Sequence, residues 1–201
     1  MKYAKYIDMP NWRAVQQELI DFHYTDFDPE IPWWCYQDNE LEGKLPLLHE
    51  AWQKMGLKMR MLIFFFAHPK DIDCHNEEDE RCIFIHQDSQ DDPEKHYGDD
   101  RGTRVDTDFD PEFAINIPLE NCEGSKTFWY NVHDKDNAYT YYPWHGCGGF
   151  KHENCTVVYE HELHSPSILR INRPHGVYNP HSKLRTVATF RFYNDINYLI
   201  D

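Results

Sequence analysis

Long apolar runs are missing from this chain of 201 residues. The longest uninterrupted one, Met61 to Ala67, falls far short of the roughly 20 residues that cross a bilayer as a helix. The N-terminus shows no basic segment leading into an apolar stretch, the mark of a secretory leader, so the cytoplasm is the expected location. Paired cysteines are missing too. Cys35, Cys74, Cys82, Cys122, Cys147 and Cys155 include no C-x-x-C pair, and without a leader they read as reduced thiols and not as a disulfide framework. The sequon Asn154-Cys155-Thr156 is then an accident of composition. Positive charge is scarce: 20 Lys and Arg stand against 35 Asp and Glu, for a formal charge of -15. Such a surface repels a phosphate backbone and argues against nucleic acid as a partner. It mildly favours a neutral or cationic small molecule, amino acid, amine or peptide.

Aromatic residues, by contrast, are plentiful at 15%, with six Trp and 13 Tyr, which suits a β-rich core and not a disordered chain. A chain of this length folds as one domain that buries roughly 70% of its unfolded surface and needs no staples. Pro10 followed by Trp12, Val15, Leu19 and Ile20 predicts a helix ending near Phe22, with proline tolerated in its first turn. Leu48, Ala51, Trp52 and Met55 predict a second helix over Leu45 to Met55, with Gly56 as its stop. Eight strands follow: Leu57 to Phe66, Arg81 to His86, Phe113 to Ile117, Lys126 to Val132, Cys155 to His161, Ser167 to Ile171, His175 to Tyr178 and Leu184 to Phe192. Short strands without intervening helices favour a sandwich or jelly roll over a parallel α/β sheet. The predicted organisation is a helical segment at 1–56 bracing one sheet face, a β core at 57–192 and a tail at 193–201.

Three predicted connections are long, Pro69 to Glu80, Ser89 to Glu112 and His133 to Asn154, and long loops in a compact domain tend to be functional. The second leaves directly from Asp88, which makes it the natural lid or substrate-selecting loop. It also carries Asp106, Asp108 and Asp110, which alternate like calcium ligands. Pro111 stands where such a loop needs glycine, and Ile117 where it needs glutamate.

Chemistry concentrates in three places: Ile85-His86-Gln87-Asp88, then Pro174-His175, then Arg185. An isolated H-x-D arises about once by chance in such a composition. Context adds weight, because His86 and Asp88 end an apolar strand two residues apart and so project from one face of a sheet. With His175 they make two imidazoles and one carboxylate, the protein ligands of a facial-triad Fe(II) site that leaves three adjacent positions open. Zinc would also bind such a set, without redox chemistry. Arg185 supplies a guanidinium fork able to hold a carboxylate through two parallel hydrogen bonds, with Lys183 as the substitute cation.

Four stretches carry a resemblance: Phe113-Ala-Ile-Asn-Ile-Pro-Leu-Glu-Asn-Cys122, Thr127-Phe-Trp-Tyr130, Arg173-Pro-His-Gly-Val-Tyr-Asn179 and Leu184-Arg-Thr-Val-Ala-Thr-Phe-Arg-Phe192. Over roughly Ile83 to Phe192 the chain resembles the iron(II)- and 2-oxoglutarate-dependent oxygenases, most of all the small single-domain members of bacteria and tailed bacteriophages related to the prolyl hydroxylases. The resemblance implies a double-stranded β-helix, the jelly roll of cupin-like proteins, with the metal between two sheets. It implies His86, Asp88 and His175 as iron ligands and Arg185 as the clamp on the cosubstrate 2-oxoglutarate. Asn116 and Tyr130 become candidates for hydrogen bonds to the keto acid, and O2 becomes the oxidant. The chain departs from the family at Val187, where many relatives have a Ser or Thr that helps to hold the carboxylate.

Other readings stay open. His145, Cys147, His152 and Cys155 could close around a structural zinc, and Cys74, His75 and Cys82 could contribute. A jelly roll can also serve as a non-catalytic binding module or virion component, although the intact set of His86, Asp88, His175 and Arg185 speaks against that. A metal-dependent cupin without cosubstrate would leave Arg185 without a purpose.

Overall fold

The computed structural model describes residues 2–23, 33–67, 85–87, 112–133, 139–142 and 147–200. Two helices precede most of the strands. In α1 (Trp12–His23) the buried residues are Val15, Leu19 and His23, spaced by four so that they lie on one stripe. Asn11 starts the helix, adopting a left-handed φ of 53° while its carbonyl accepts from the Ala14 and Val15 amides. Helix α2 (Pro46–Lys54) has proline in its first turn and buries Leu48, Ala51 and Trp52. It ends at Gly56, φ 69°, where Leu57 N–H donates to Trp52 O at 2.8 Å and Gly56 N–H to Gln53 O at 3.0 Å. That pair of reversed bonds requires a left-handed residue, which is why glycine stands there. Glu18 of α1 accepts from the Leu47 and Leu48 amides, each at 2.9 Å. One carboxylate thereby satisfies two exposed donors at the start of α2 and ties the helices together.

Apart from three single-turn 3-10 helices (Asp38–Glu40, His152–Asn154 and Asn197–Leu199), the remaining elements described are antiparallel strands: β1 (Ala4–Tyr6), β2 (Trp33–Gln37), β3 (Met59–Ala67), β4 (Phe113–Glu120), β5 (Lys126–Val132), β6 (Tyr139–Tyr142), β7 (Cys147–Phe150), β8 (Cys155–Glu162), β9 (Ser167–Arg170), β10 (His175–Tyr178) and β11 (Arg185–Phe192). A six-stranded sheet has the order β1-β9-β4-β11-β3-β2, a three-stranded sheet the order β10-β5-β8, and β6 and β7 form a hairpin. His86 extends the smaller sheet by an isolated bridge to His175, while Ile85 bridges Phe150 of the β6–β7 hairpin. The protein is therefore mainly β, with two helices and antiparallel sheets.

The segment 1–56 is more than a brace. It contributes β1 and β2, which close the two edges of the large sheet. Both escaped the sequence reading because three to five residues carry too little periodicity to stand out. The β6–β7 hairpin lies within the predicted loop His133 to Asn154 for the same reason. Elsewhere, β5 and β10 have the predicted bounds, and β4 runs three residues further than expected.

The helices cover one face of the large sheet, where Val15, Leu19, Leu48 and Trp52 pack with Leu62, Phe64, Ile115, Ile117, Phe190 and Phe192. On β11, Ala188, Phe190 and Phe192 look toward the helices. By strand alternation Arg185, Val187, Thr189 and Arg191 look the other way, toward the small sheet, and every residue of β11 is buried.

Candidate functional site

Between the sheets the side chains fall into layers that the register makes explicit. In the first, Trp129 of the small sheet packs with Ala4, Ala114, Leu169 and Ile171. In the second, His161 Nε2 is 3.0 Å from Ser167 Oγ; Ser167 Oγ–H itself donates to Ser165 O, so the imidazole is the donor. In the third, Leu163 packs with Cys122 and Val187. Two further ties join β1 and the residue before it to the small sheet: Tyr6 O–H donates to Glu162 O, and Tyr3 stacks on Tyr159 at 5.4 Å between ring centroids.

The first layer carries the candidate site. His175, the opening residue of β10, pairs with Trp129 in β5 and lies 6.4 Å from it, ring to ring. On its other side His175 exchanges two backbone hydrogen bonds with His86, each 2.8 Å. Residues directly opposite in an antiparallel pair share a face, and the two imidazoles stand 4.4 Å apart between centroids. His175 Nδ1–H donates to the Arg173 carbonyl at 2.8 Å. In the neutral ring that bond leaves the lone pair on Nε2, the tautomer a metal ligand needs.

Arg185 opens β11 and is only 3% exposed. Burial pushes its guanidinium pKa down from the ordinary value, opposed by the Cys122 thiol beside it, and an arginine there still keeps its proton. The same burial raises the Cys122 thiol pKa against the pull of Arg185. Lys183, the substitute cation, is exposed. Asn116 faces the inter-sheet layer from β4, between Thr189 of β11 and Ser167 of β9. Tyr130 goes elsewhere: it packs with Ile85, Phe128, Phe150 and Tyr178, on the face of the small sheet opposite the one shared by Trp129, His175 and His86. The structure thus brings His86 and His175 together, sets Arg185 and Asn116 on the wall of the large sheet, and does not bring Tyr130 to them.

Asp88 lies outside the described residues, as do Asp106, Asp108, Asp110, Cys74, His75, Cys82, His145 and the side chain of Cys147. Of the alternative zinc set, His152 lies 6.3 Å from Tyr130, ring to ring, and burial pushes the Cys155 thiol up to about 11. Among the described residues no group of three or more His, Cys, Asp and Glu side chains is placed to hold a metal ion.

Sequence reasoning missed Thr189. It is 3% exposed, and its Oγ1 is buried without a hydrogen-bond partner among the described residues, as are Asn116 Oδ1 and Arg185 Nε. Buried polar atoms are costly to leave unsatisfied, so these three on one inward wall call for a polar partner, ordered water or a bound ligand. The available signal was spacing, since Thr189 follows Val187 by two residues on the same strand face. No protein-family model matches this chain, and no curated protein matches its sequence.

Proposed function

We propose that the protein is an Fe(II)- and 2-oxoglutarate-dependent dioxygenase on a double-stranded β-helix, hydroxylating a small-molecule, amino-acid or peptide substrate. The observation that carries this reading is the His86–His175 bridge, which joins two candidate ligands distant in sequence into one pair with their rings 4.4 Å apart. The topology supports the fold. Going along the chain, β3 lies in the large sheet, His86 bridges to the small one, β4 returns to the large and β5 to the small, and β9, β10 and β11 alternate in the same way.

The donor set fits the metal. His86 and His175 would hold it with Asp88, two neutral imidazoles and one carboxylate suiting Fe(II). When bound, iron and 2-oxoglutarate supply the oxidising chemistry, in which O2 is consumed, 2-oxoglutarate yields succinate and CO2, and one oxygen atom enters a C–H bond of the substrate. The residues of the chain do the rest. The Arg173 carbonyl holds His175 in its metal-binding tautomer, and Trp129 walls the histidine pair and keeps water off that side. Arg185 offers a buried guanidinium to the distal carboxylate, in surroundings where a charged hydrogen bond is stronger than in water.

The test is an anaerobic titration with Fe(II) and 2-oxoglutarate, following the visible charge-transfer band of the chelate. The band should form, vanish in His175→Ala, and require about a hundredfold more 2-oxoglutarate in Arg185→Ala, as expected for loss of a buried charge-assisted pair. No band and no tight iron binding would overturn the reading and leave a non-catalytic jelly roll.

A further inference from the structure

We infer that the turn after β4 is a positioning device for the cosubstrate clamp: Asn121 and Cys122 hold Arg185 so that its guanidinium meets the distal carboxylate of 2-oxoglutarate already oriented. This rests on the dioxygenase reading and adds the residues that prepare the same site. The ladder between β4 and β11 shifts register between Thr186 and Val187, and its last pair is Thr186 with Glu120. Beyond that pair the chain turns at Asn121, which adopts a left-handed φ of 51°, a conformation asparagine tolerates better than most residues. Two consecutive side chains of the turn then reach back to β11. Asn121 Nδ2–H donates to Leu184 O at 2.7 Å. The Cys122 thiol lies 3.3 Å from Thr186 O and 3.3 Å from Glu120 O, with one proton to give to either. Leu184 and Thr186 are the residues immediately before and after Arg185. Asn179 Nδ2–H adds bonds to Lys183 O and Ala67 O, each at 2.9 Å, and Ala67 is the β3 partner of Arg185. The turn is itself pinned, since Ser125 N–H donates to Cys122 O at 3.1 Å and Ser125 Oγ–H to Tyr178 O at 2.9 Å.

Cys122 reaches the guanidinium as well as the backbone. The buried Arg185 side chain lies beside its sulfur, close enough to donate to it, and the thiol packs with Leu163 and Val187. Val187, two residues further along the same strand face, has no polar side-chain atom to offer. Among the described residues no carboxylate bears on Arg185, and its Nε has no hydrogen-bond partner. A thiol sulfur is a weak acceptor, and burial raises the Cys122 pKa, so the group stays protonated at neutral pH. It can therefore orient the fork without competing for its charge. A carboxylate in that place would neutralise the guanidinium, and an apolar side chain would let it turn among its rotamers. Arginine has much rotamer freedom to lose, and freezing it before the ligand arrives favours binding, because less freedom is given up at that moment.

The experiment titrates the whole chain anaerobically with Fe(II) and either 2-oxoglutarate or 2-oxopentanoate, which has the same length and a methyl group in place of the distal carboxylate, while the charge-transfer band is read. In the unaltered protein 2-oxoglutarate should bind at least about thirtyfold more tightly, the preference a buried guanidinium provides. Cys122→Val, which fills a similar volume without the sulfur, should cut that preference about tenfold, as for one lost hydrogen bond to a charged group. Asn121→Gly, which keeps the left-handed turn and removes the amide, should cut it about fivefold. Cys122→Ser should hold it within about twofold, because a hydroxyl can donate to Thr186 O and accept from the guanidinium. A residue that only packs gives the opposite order, with valine tolerated and serine not, and a loosened fold would weaken both keto acids alike. If Cys122→Val does not fold, Cys122→Ala takes its place. A preference unchanged in Cys122→Val, or lost as fully in Cys122→Ser, overturns this inference and leaves the dioxygenase reading standing. An unaltered protein that binds the two keto acids equally also overturns it, since Arg185 is then not the clamp. Failure to form the band with either keto acid removes this inference together with the dioxygenase reading.

Discussion

Trp129 ties the candidate site to the frame around it. Its indole N–H donates to the Arg170 carbonyl at 2.7 Å, its ring neighbours His175, and it packs with Ala114, Leu169 and Ile171 between the sheets. Trp129→Phe keeps the apolar contact but leaves the Arg170 carbonyl unsatisfied, which should cost about 1–3 kcal/mol, read as a lower midpoint in urea at unchanged slope. An unchanged midpoint would mean that water replaces the indole. The identity of this residue was legible in the stretch from Thr127 to Tyr130, but its direction was not. Period-2 alternation says that Trp129 and Tyr130 face opposite ways without saying which faces the histidine pair. The pairing of His175 with Trp129 decides it, and Tyr130 consequently leaves the site.

Among the elements, β11 and α2 show two different uses of burial. Strand β11 is buried along its whole length, with an apolar face toward the helices and an inward face that alternates Arg185, Val187, Thr189 and Arg191. Helix α2 inserts Trp52 against Phe190 and Phe192, edge to face, with centroids 5.1 Å away in each case. Trp52→Ala should therefore cost about 3–5 kcal/mol, the usual range for removing a buried large aromatic, measured by denaturant unfolding. A cost below about 1 kcal/mol would mean that the helix is loosely docked. Both helices and most long strands were legible because their apolar spacing repeats over several turns or rungs. Strands β1 and β2 were not, since edge strands this short are held by pairing with β9 and β3 and carry little pattern of their own.

At the scale of the whole molecule, two of the buried histidines among the described residues, His161 and His23, have lowered pKa values that contribute to the response to acid. His161 is held down to about 4 by burial first and by the nearby His164 second, against Glu162. His23, stacked on Phe64 at 4.8 Å, is likewise lowered by burial, against Glu120. A histidine whose pKa is lowered on folding binds more protons when unfolded. Its contribution to stability is therefore complete above about pH 6.5 and is lost as pH falls below that, for His161 toward about 4. The melting temperature should drop by at least about 4 °C between pH 7 and pH 5, and His161→Gln, which keeps a donor for Ser167, should flatten that dependence. An equally steep profile in the variant would assign the acid sensitivity to other groups. By itself the sequence determined the β-rich class, the two helices, and the His86, His175 and Arg185 candidates, because local periodicity and residue chemistry survive in one dimension. Only the tertiary structure decided that His86 and His175 meet, that Tyr130 turns away, and that Thr189 and Arg191 share the inward wall with Arg185. Those facts depend on register and on which sheet each strand joins, and they arise from pairings between residues far apart along the chain.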